Sequence, residues 1–495
     1  MQDNSQVEKP NVLLICVDHW PGDLLGCAGH PSIMTPTLDQ LAANGVRFTN
    51  AYSATPTCIP ARRALMTGTT ARTHGDRIFN ETLPMPPDLP TMAETFSNAG
   101  YQTFAVGKLH VYPQRDRIGF DDVVLNEEGR HHLESNADDY ELFLSEQGQT
   151  GMEYGHGMPT TDYLTRPWHL SEQLHPTNWT AREMCKVIKR RDPTRPAFWY
   201  MSFNAPHPPL VPLSAYLELY RDSEIPPPSI GEWARNFDAL PYTLKARYNR
   251  WYALLKKHEN RMGLSQIEYQ NVCRAFFAMC THVDHQIRLV VGMLREEMLL
   301  DNTIIAFTSD HGDMLGNHEQ YAKGLLYEAS AKVPLLIVPT ADYHHLGHHQ
   351  LDHRLVELRD IMPTLLDMAD IPIPDTVEGN SLLGDTSREF LYAEHYENES
   401  ATRMIRDNRY KLIYYPVGNH IQLFDLQDDP TECHNLADDP DHMLVQEHLT
   451  QALIAEMYNG DLEWVEDGQL VGLPDQPFTF ESNRGLTAQR GYRFP

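Results

Sequence analysis

Short apolar runs that stop at a carboxylate recur along the chain. Asn11 to Val17 runs up to Asp18, and Thr303 to Thr308 runs up to Ser309-Asp310-His311-Gly312. Runs of this length and composition read as strands buried on both faces, each delivering polar groups at its carboxyl end. Thr103 to Val106, before Gly107-Lys108-Leu109-His110, and the aromatic run Ala197 to Phe203 have the same texture. Between them lie helical patterns, Thr37 to Asn44 before Gly45 and Met92 to Ala99 before Gly100, each closed by a glycine. Strands alternating with helices predict an α/β fold with a mainly parallel sheet covered on both faces. Ligands collect beyond the carboxyl ends of such strands, where Asp18 and Asp310 both fall.

A helix over Ser265 to Leu300 places Phe276, Phe277, Cys280, Val283, Ile287, Val290 and Leu294 near the helical repeat, a core stripe and not a cofactor site. Asn126 to Thr180, rich in His, Glu and Gly and weak in periodicity, reads as a long surface insertion that either walls a pocket or is an irregular excursion. Ile371-Pro372-Ile373-Pro374-Asp375 precedes a texture of short strands, such as Lys411 to Tyr415, between polar turns. The boundary expected there divides a large N-terminal domain, 1–375, from a smaller C-terminal domain, 376–495.

Composition narrows the classes. With 495 residues, 41% of them hydrophobic, the chain can bury a core shared by two or more domains. Its 40 Lys and Arg against 68 Asp and Glu give a formal charge of −28, which repels polyphosphate backbones and argues against a nucleic-acid partner. Met1 to Pro10 lacks an apolar secretory core, and no run of about 18 apolar residues occurs, so the expectation is a cytoplasmic protein without a membrane partner. Seven scattered cysteines do not make a disulfide framework; Cys16, Cys27, Cys185, Cys273, Cys280 and Cys433 read as reduced thiols.

Cys58 stands apart, at the head of Cys58-Ile59-Pro60-Ala61-Arg62 within the string CIPARRALMTG that ends at Gly68. This string resembles that of the formylglycine-dependent sulfatases, C-x-P-x-R followed by L-x-T-G. Its three fixed positions arise by chance in roughly 0.02 of chains this long, before Leu65, Thr67 and Gly68 are counted. The resemblance implies an alkaline phosphatase-like fold, a large α/β domain with a smaller C-terminal domain around an antiparallel sheet. It also implies a maturation enzyme that oxidises Cys58 to an aldehyde. Hydrated, that formylglycine carries two hydroxyls on one carbon, one to attack sulfur and one to expel sulfate as the aldehyde re-forms.

An attacking hydroxyl must be partly ionised at neutral pH, which a divalent cation achieves. By resemblance its ligands are Asp18, Asp310, His311 and the residue at Cys58, a set of hard oxygens and one imidazole. Calcium is the first choice, with manganese or magnesium as alternatives. Many sulfatases have a second aspartate after the first; here it is His19, a metal ligand, a substrate contact or a packing residue. The resemblance further implies that Arg62, one helical turn past Cys58, orients the nucleophile and offsets sulfate charge. Lys108, in the G-K-x-H string, would bind nucleophile and sulfate, and His110 would take the proton that triggers aldehyde re-formation. His207, in Ala205-Pro206-His207-Pro208-Pro209, is the expected general acid for the departing oxygen. Lys323 is expected against sulfate and the leaving oxygen. Asn80 and His318 are weaker substrate-binding candidates, and Arg63 reads equally as an ion-pair partner or a substrate clamp.

The expected reaction is hydrolysis of a small-molecule or saccharide sulfate monoester. The alternatives are a phosphonate monoester or phosphodiester hydrolase using the same formylglycine, kept open by Ala61, and a non-catalytic binder of sulfated ligands. The aromatic, basic tail from Arg490 to Pro495 is a candidate contact with a neighbouring subunit in a homo-oligomer.

Overall fold

The computed structural model describes residues 9–127, 133, 138–158, 163–247, 264–343 and 350–479. The predicted strands are present: β1 (Asn11–Val17), β3 (Gln102–Gly107), β5 (Ala197–Phe203) and β6 (Thr303–Ser309). Every residue of β1, β5 and β6 is buried, as continuous apolar runs require when both faces are covered. With β2 (Val46–Tyr52), β4 (Asp122–Leu125), β7 (Leu335–Val338) and β8 (Gln350–Glu357) they form an eight-stranded sheet ordered β4-β3-β5-β1-β6-β7-β2-β8. All neighbours pair in parallel except β7, antiparallel to both β6 and β2. The register aligns Gly107 with Ser202, and Val17 with both Phe203 and Ser309. Four strands therefore end together, and the residues that follow them converge.

The long helix runs from Gln266 to Glu296, and Ser265 and Glu268 close its first turn with a reciprocal capping box. All seven residues of the predicted stripe are buried. A second sheet, ordered β12-β11-β10-β9, comprises β9 (Leu391–His395), β10 (Thr402–Arg406), β11 (Tyr410–Tyr415) and β12 (His420–Asp425), all antiparallel. Its Ala393, Met404, Ile413 and Phe424 join the core beneath the large sheet, while Ile405, Leu412 and Leu423 pack on Leu449 and Leu453 of the Met443–Glu456 helix.

The stretch 126–180 is more ordered than its sequence pattern predicts. It contains the capped helix Asp139–Glu146, and the helix Pro176–Arg190 begins inside it. The polar triplet Asn178-Trp179-Thr180 hides that start: Trp179 and Thr180 are buried, and the Asn178 side-chain oxygen lies 2.6 Å from His282 Nε2. Within this stretch 128–132, 134–137 and 159–162 lie outside the described residues, as does the tail Arg490–Pro495. All seven cysteines are free, and no described helix is long and apolar enough to cross a membrane.

Candidate active site

Cys58 is the first residue of the helix Cys58–Thr67, entered from Thr57 in extended conformation and closed by Gly68 with φ +67°. The thiol thus sits at the positive end of a helix, yet is only 1% exposed. One turn later Arg62 is buried. Its Nε donates to Asp310 Oδ2 at 2.8 Å, and its Nη1 donates to Lys108 O, Tyr200 Oη and Ser202 Oγ at 2.9, 3.1 and 2.8 Å. The guanidinium therefore clamps Asp310 and the ends of β3 and β5, while its Nη2 has no hydrogen-bond partner. Gly107 permits this close approach of β3 to β5: its φ is +103°, and a Cβ there would lie 1.8 Å from Ser202 O.

Ligating atoms of Asp18, Cys58, Asp310 and His311 all lie within 4.8 Å of one another. Cys58 Sγ is 3.7 Å from Asp18 Oδ1 and 3.3 Å from His311 Nε2. His311 Nδ1 lies 2.9 Å from the Gly312 carbonyl, an acceptor, so Nδ1 carries the proton. Burial pushes His311 down to about 4, so its neutral ring turns the Nε2 lone pair toward Asp18 and Asp310 oxygens at 3.4 and 3.5 Å. Asp310 Oδ1, one of these, is buried without a hydrogen-bond partner. Acceptors facing acceptors repel unless a cation lies between them, so the residues present fit a metal ion. Burial works against ionisation of Asp18, but Lys108 and Lys323 overcome it and hold its carboxyl well below the ordinary range. Lys108 Nζ donates to Asp18 Oδ2.

Lys323 Nζ reaches Cys58 Sγ at 2.9 Å and His19 Nε2 at 2.7 Å. His19 Nδ1 lies 2.7 Å from Asp313 Oδ2, and Asp313 also accepts from Tyr163 Oη and from the Leu315 and Ala322 amides. With its Nδ1 proton on Asp313, neutral His19 presents a lone pair to the Lys323 ammonium. Burial, with Lys323 and His207 nearby, holds His19 well below its ordinary pKa. Backbone at φ +69° sustains this pose. His207 packs edge-on to His19 with ring centroids 4.3 Å apart, and Asp18, His19 and His207 bring ligating atoms within 4.8 Å of one another.

His110 follows Lys108 at the same strand end with φ +61°, its amide donating to Glu127 and its ring edge-on to Phe79. The weaker candidates are engaged elsewhere. Asn80 Oδ1 closes its own loop by accepting from Thr82, and His318 Nδ1 accepts from the Gly231 amide while its ring packs on Trp233 and Tyr327. Arg63 donates to the Leu83, His74 and Pro84 carbonyls. Sequence reasoning missed Asp313, although it lies within the SDHGD string, and missed Tyr163, Tyr200 and Ser202, whose partners are distant in the chain.

A family model described as Sulfatase matches residues 10–371, and one described as N-sulphoglucosamine sulphohydrolase, C-terminal, matches 316–459. The chain is 36% identical over 485 residues to an arylsulfatase of Clostridium perfringens, covering 94% of this chain and 98% of that one. It is 27% identical over 471 residues to the Homo sapiens arylsulfatase K, covering 88% and 80%. Among solved structures, the phosphonate monoester hydrolase of Agrobacterium radiobacter superimposes with TM-score 0.75 at 24% identity, covering 92% and 98%. A protein bound to its substrate D-glucosamine-2-N,6-O-disulfate superimposes with TM-score 0.70 at 22% identity, covering 90% and 97%. At these identities the structures bear on the fold, and they agree with the alkaline phosphatase-like architecture. The family model spans most of the chain and the clostridial relative nearly all of it: this chain belongs to the sulfatase family, and it is a sulfuric ester hydrolase.

Proposed function

We propose that the chain hydrolyses a sulfate monoester to an alcohol or phenol and inorganic sulfate through a formylglycine made from Cys58. The convergence of Cys58 with Asp18, Asp310, His311 and Lys323 carries this reading. As a thiol, Cys58 would be a poor nucleophile, because burial and Asp18 push it up to about 12. Hydrated formylglycine supplies one hydroxyl to attack sulfur and another whose deprotonation re-forms the aldehyde and frees sulfate. At 1% exposure the thiol is closed to an enzyme acting on the folded chain, so the maturation enzyme must reach it before folding is complete.

Asp18, Asp310 and His311 are the residues that would hold the cation, and their two carboxylates and one imidazole suit calcium, with manganese or magnesium next. A divalent cation supplies charge stabilisation to anionic oxygens when bound. Arg62 acts through Asp310, which it holds in place. Lys323 touches the atom that Cys58 Sγ stands for, the nucleophilic oxygen, and aligns it with a sulfate oxygen; Lys108 adds a second ammonium beside Asp18. His19 is a positioning residue: oriented by Asp313, it holds the Lys323 ammonium and replaces a carboxylate with a neutral ring. His207 Nδ1 lies 2.6 Å from the Pro208 carbonyl, to which it donates, so Nε2 is the atom that would deliver a proton to the leaving oxygen. His110 is assigned the proton lost as the aldehyde re-forms.

The test is sulfate release by the mature protein with calcium, beside Cys58→Ala. Loss of release in the variant is expected; equal turnover would overturn the mechanism.

A further inference from the structure

A cavity of about 560 Å³ opens where the small sheet meets the large domain, and no residue of the reacting centre lines it. Two short helical turns of the large domain, Glu232–Arg235 and Phe237–Ala239, wall one side. The start of β12, the loop after it and Gln446 of the Met443–Glu456 helix wall the other. The volume is that of a small-molecule site and suits one or two six-membered rings.

Gln422 is the buried polar group of this cavity, at 4% exposure. Its Oε1 accepts from the hydroxyls of Tyr327 and Tyr415 at 2.6 and 3.2 Å. Those bonds fix the amide, so Nε2 is the end turned away, with two N–H groups and no partner among the described residues. A buried donor left unmet is costly, and only the cavity can meet this one. Asn435 repeats the arrangement: Oδ1 accepts from the Leu423 and Ala437 amides at 2.9 and 3.2 Å, which leaves Nδ2 as the free end.

Asn236 and Gln446 add two more carboxamides to the wall, and Glu232 and Asp438 add carboxylate acceptors. None of these four side chains is hydrogen-bonded or ion-paired among the described residues. Trp233, Leu240 and Ile421 supply an apolar strip beside them. Fixed donors next to acceptors, over an apolar strip, match adjacent hydroxyls that each give and take a hydrogen bond on a ring with a C–H face. Among the described residues no Lys or Arg lines the cavity, and its titratable groups are Glu232, His420 and Asp438. An anion there would meet two carboxylates against one imidazole.

We propose that this cavity is a second, non-catalytic binding site, and that it takes an uncharged saccharide of one or two rings. Gln422, Asn435, Asn236 and Gln446 are the residues that would bind its hydroxyls. The proposal is independent of the hydrolytic mechanism, because the two sites share no residue.

The test is saturation-transfer NMR on the full-length chain, titrating D-glucose, D-galactose, N-acetyl-D-glucosamine and cellobiose, with sulfate release from phenyl sulfate measured on the same samples. At least one of the four sugars is expected to bind saturably, with Kd on the order of 1–10 mM. Asn236→Ala, at an exposed position, and Gln446→Ala, at a half-buried one, remove side chains that hold nothing else in the fold. Each should weaken that binding roughly fivefold, the loss of one hydrogen bond, and leave sulfate release unchanged. D-glucuronate and D-galacturonate, the same rings bearing one carboxylate, should bind at least about tenfold more weakly than their parent sugars. No transfer from any of the four sugars up to about 50 mM, or binding that both variants leave unchanged, overturns the proposal. Uronates that bind as well as the parent sugars overturn its restriction to uncharged ligands.

Discussion

Two buried charge clusters in this molecule are built to opposite rules. Where the small sheet meets the large domain, Arg403 gives Nε and Nη2 to the two oxygens of Asp461 at 2.6 and 2.7 Å, and Nη1 to the carbonyls of His395, Tyr396 and Thr402. Arg77 beside it donates to Glu394, Glu397 and Asp461, each at 3.0 Å. Every side-chain nitrogen of Arg403 has a partner, and Arg77 meets three carboxylates through Nε and Nη1. At the strand ends Arg62 Nη2 and Asp310 Oδ1 have no partners, a histidine lone pair faces carboxylates, and Arg62, Lys108 and Lys323 face two carboxylates. Burial makes an unpaired charge costly in both places, so completeness marks a cluster that holds the fold together, and a deficit marks one that awaits a ligand.

Breaking the complete cluster should produce the largest effect. Arg403→Leu leaves Asp461 short of its bidentate partner and should lower unfolding free energy by about 3–5 kcal/mol, read by denaturant titration, while kcat of the folded fraction holds. At the incomplete cluster the pattern inverts. Lys323→Met should cut kcat/KM by roughly 100- to 1,000-fold, about 2.7–4 kcal/mol, yet lower unfolding free energy far less than Arg403→Leu does, because Lys108 Nζ still pairs Asp18. A variant that loses stability in step with activity would erase the distinction between the clusters.

Filling the deficit should itself stabilise. Calcium at 100 times its dissociation constant should add about 2.7 kcal/mol, seen as a rise in Tm that a chelator reverses and Asp310→Asn abolishes. A Tm indifferent to calcium, manganese and magnesium would refute the cation site.

The smallest effect sharpens the comparison through pH. Glu432 lies within a further buried group, 2.7 Å from Lys411 Nζ, which also pairs with Glu328. Burial, opposed by Lys411 and reinforced by Glu328, pushes Glu432 from 4.5 up to about 7. Between those values the folded state keeps a proton that the unfolded chain has released, so this contribution to stability is full below about pH 4.5 and is lost as pH rises through about 7. Glu432→Gln should flatten the decline between pH 5 and 7 by at most about 1.4 kcal/mol per pH unit, measured by denaturant unfolding across that range.

The strands that aim the reacting groups were legible because burial on both faces demands uninterrupted apolar runs, and because Asp18, Lys108, His207 and Asp310 sit one to four residues past them. Cys58 and Arg62 were legible through a local string with fixed spacing. What escaped the sequence are single polar residues that meet only after folding: Asp313 under His19, Tyr163 under Asp313, and Ser202 and Tyr200 under Arg62. No period announces such contacts. The antiparallel β7 escaped for a related reason, since four residues, Leu335–Val338, carry no sign of direction. His19 was visible as a departure, but its role depended on Asp313, 294 residues away.

Mass spectrometry of the peptide spanning Cys58, on protein from its native host that is releasing sulfate, tests the central claim most directly. The account predicts a mass about 18 Da below that of the cysteine peptide, the exchange of a thiol for an aldehyde oxygen in the nucleophile. Sulfate release by protein whose Cys58 remains entirely a thiol would contradict it.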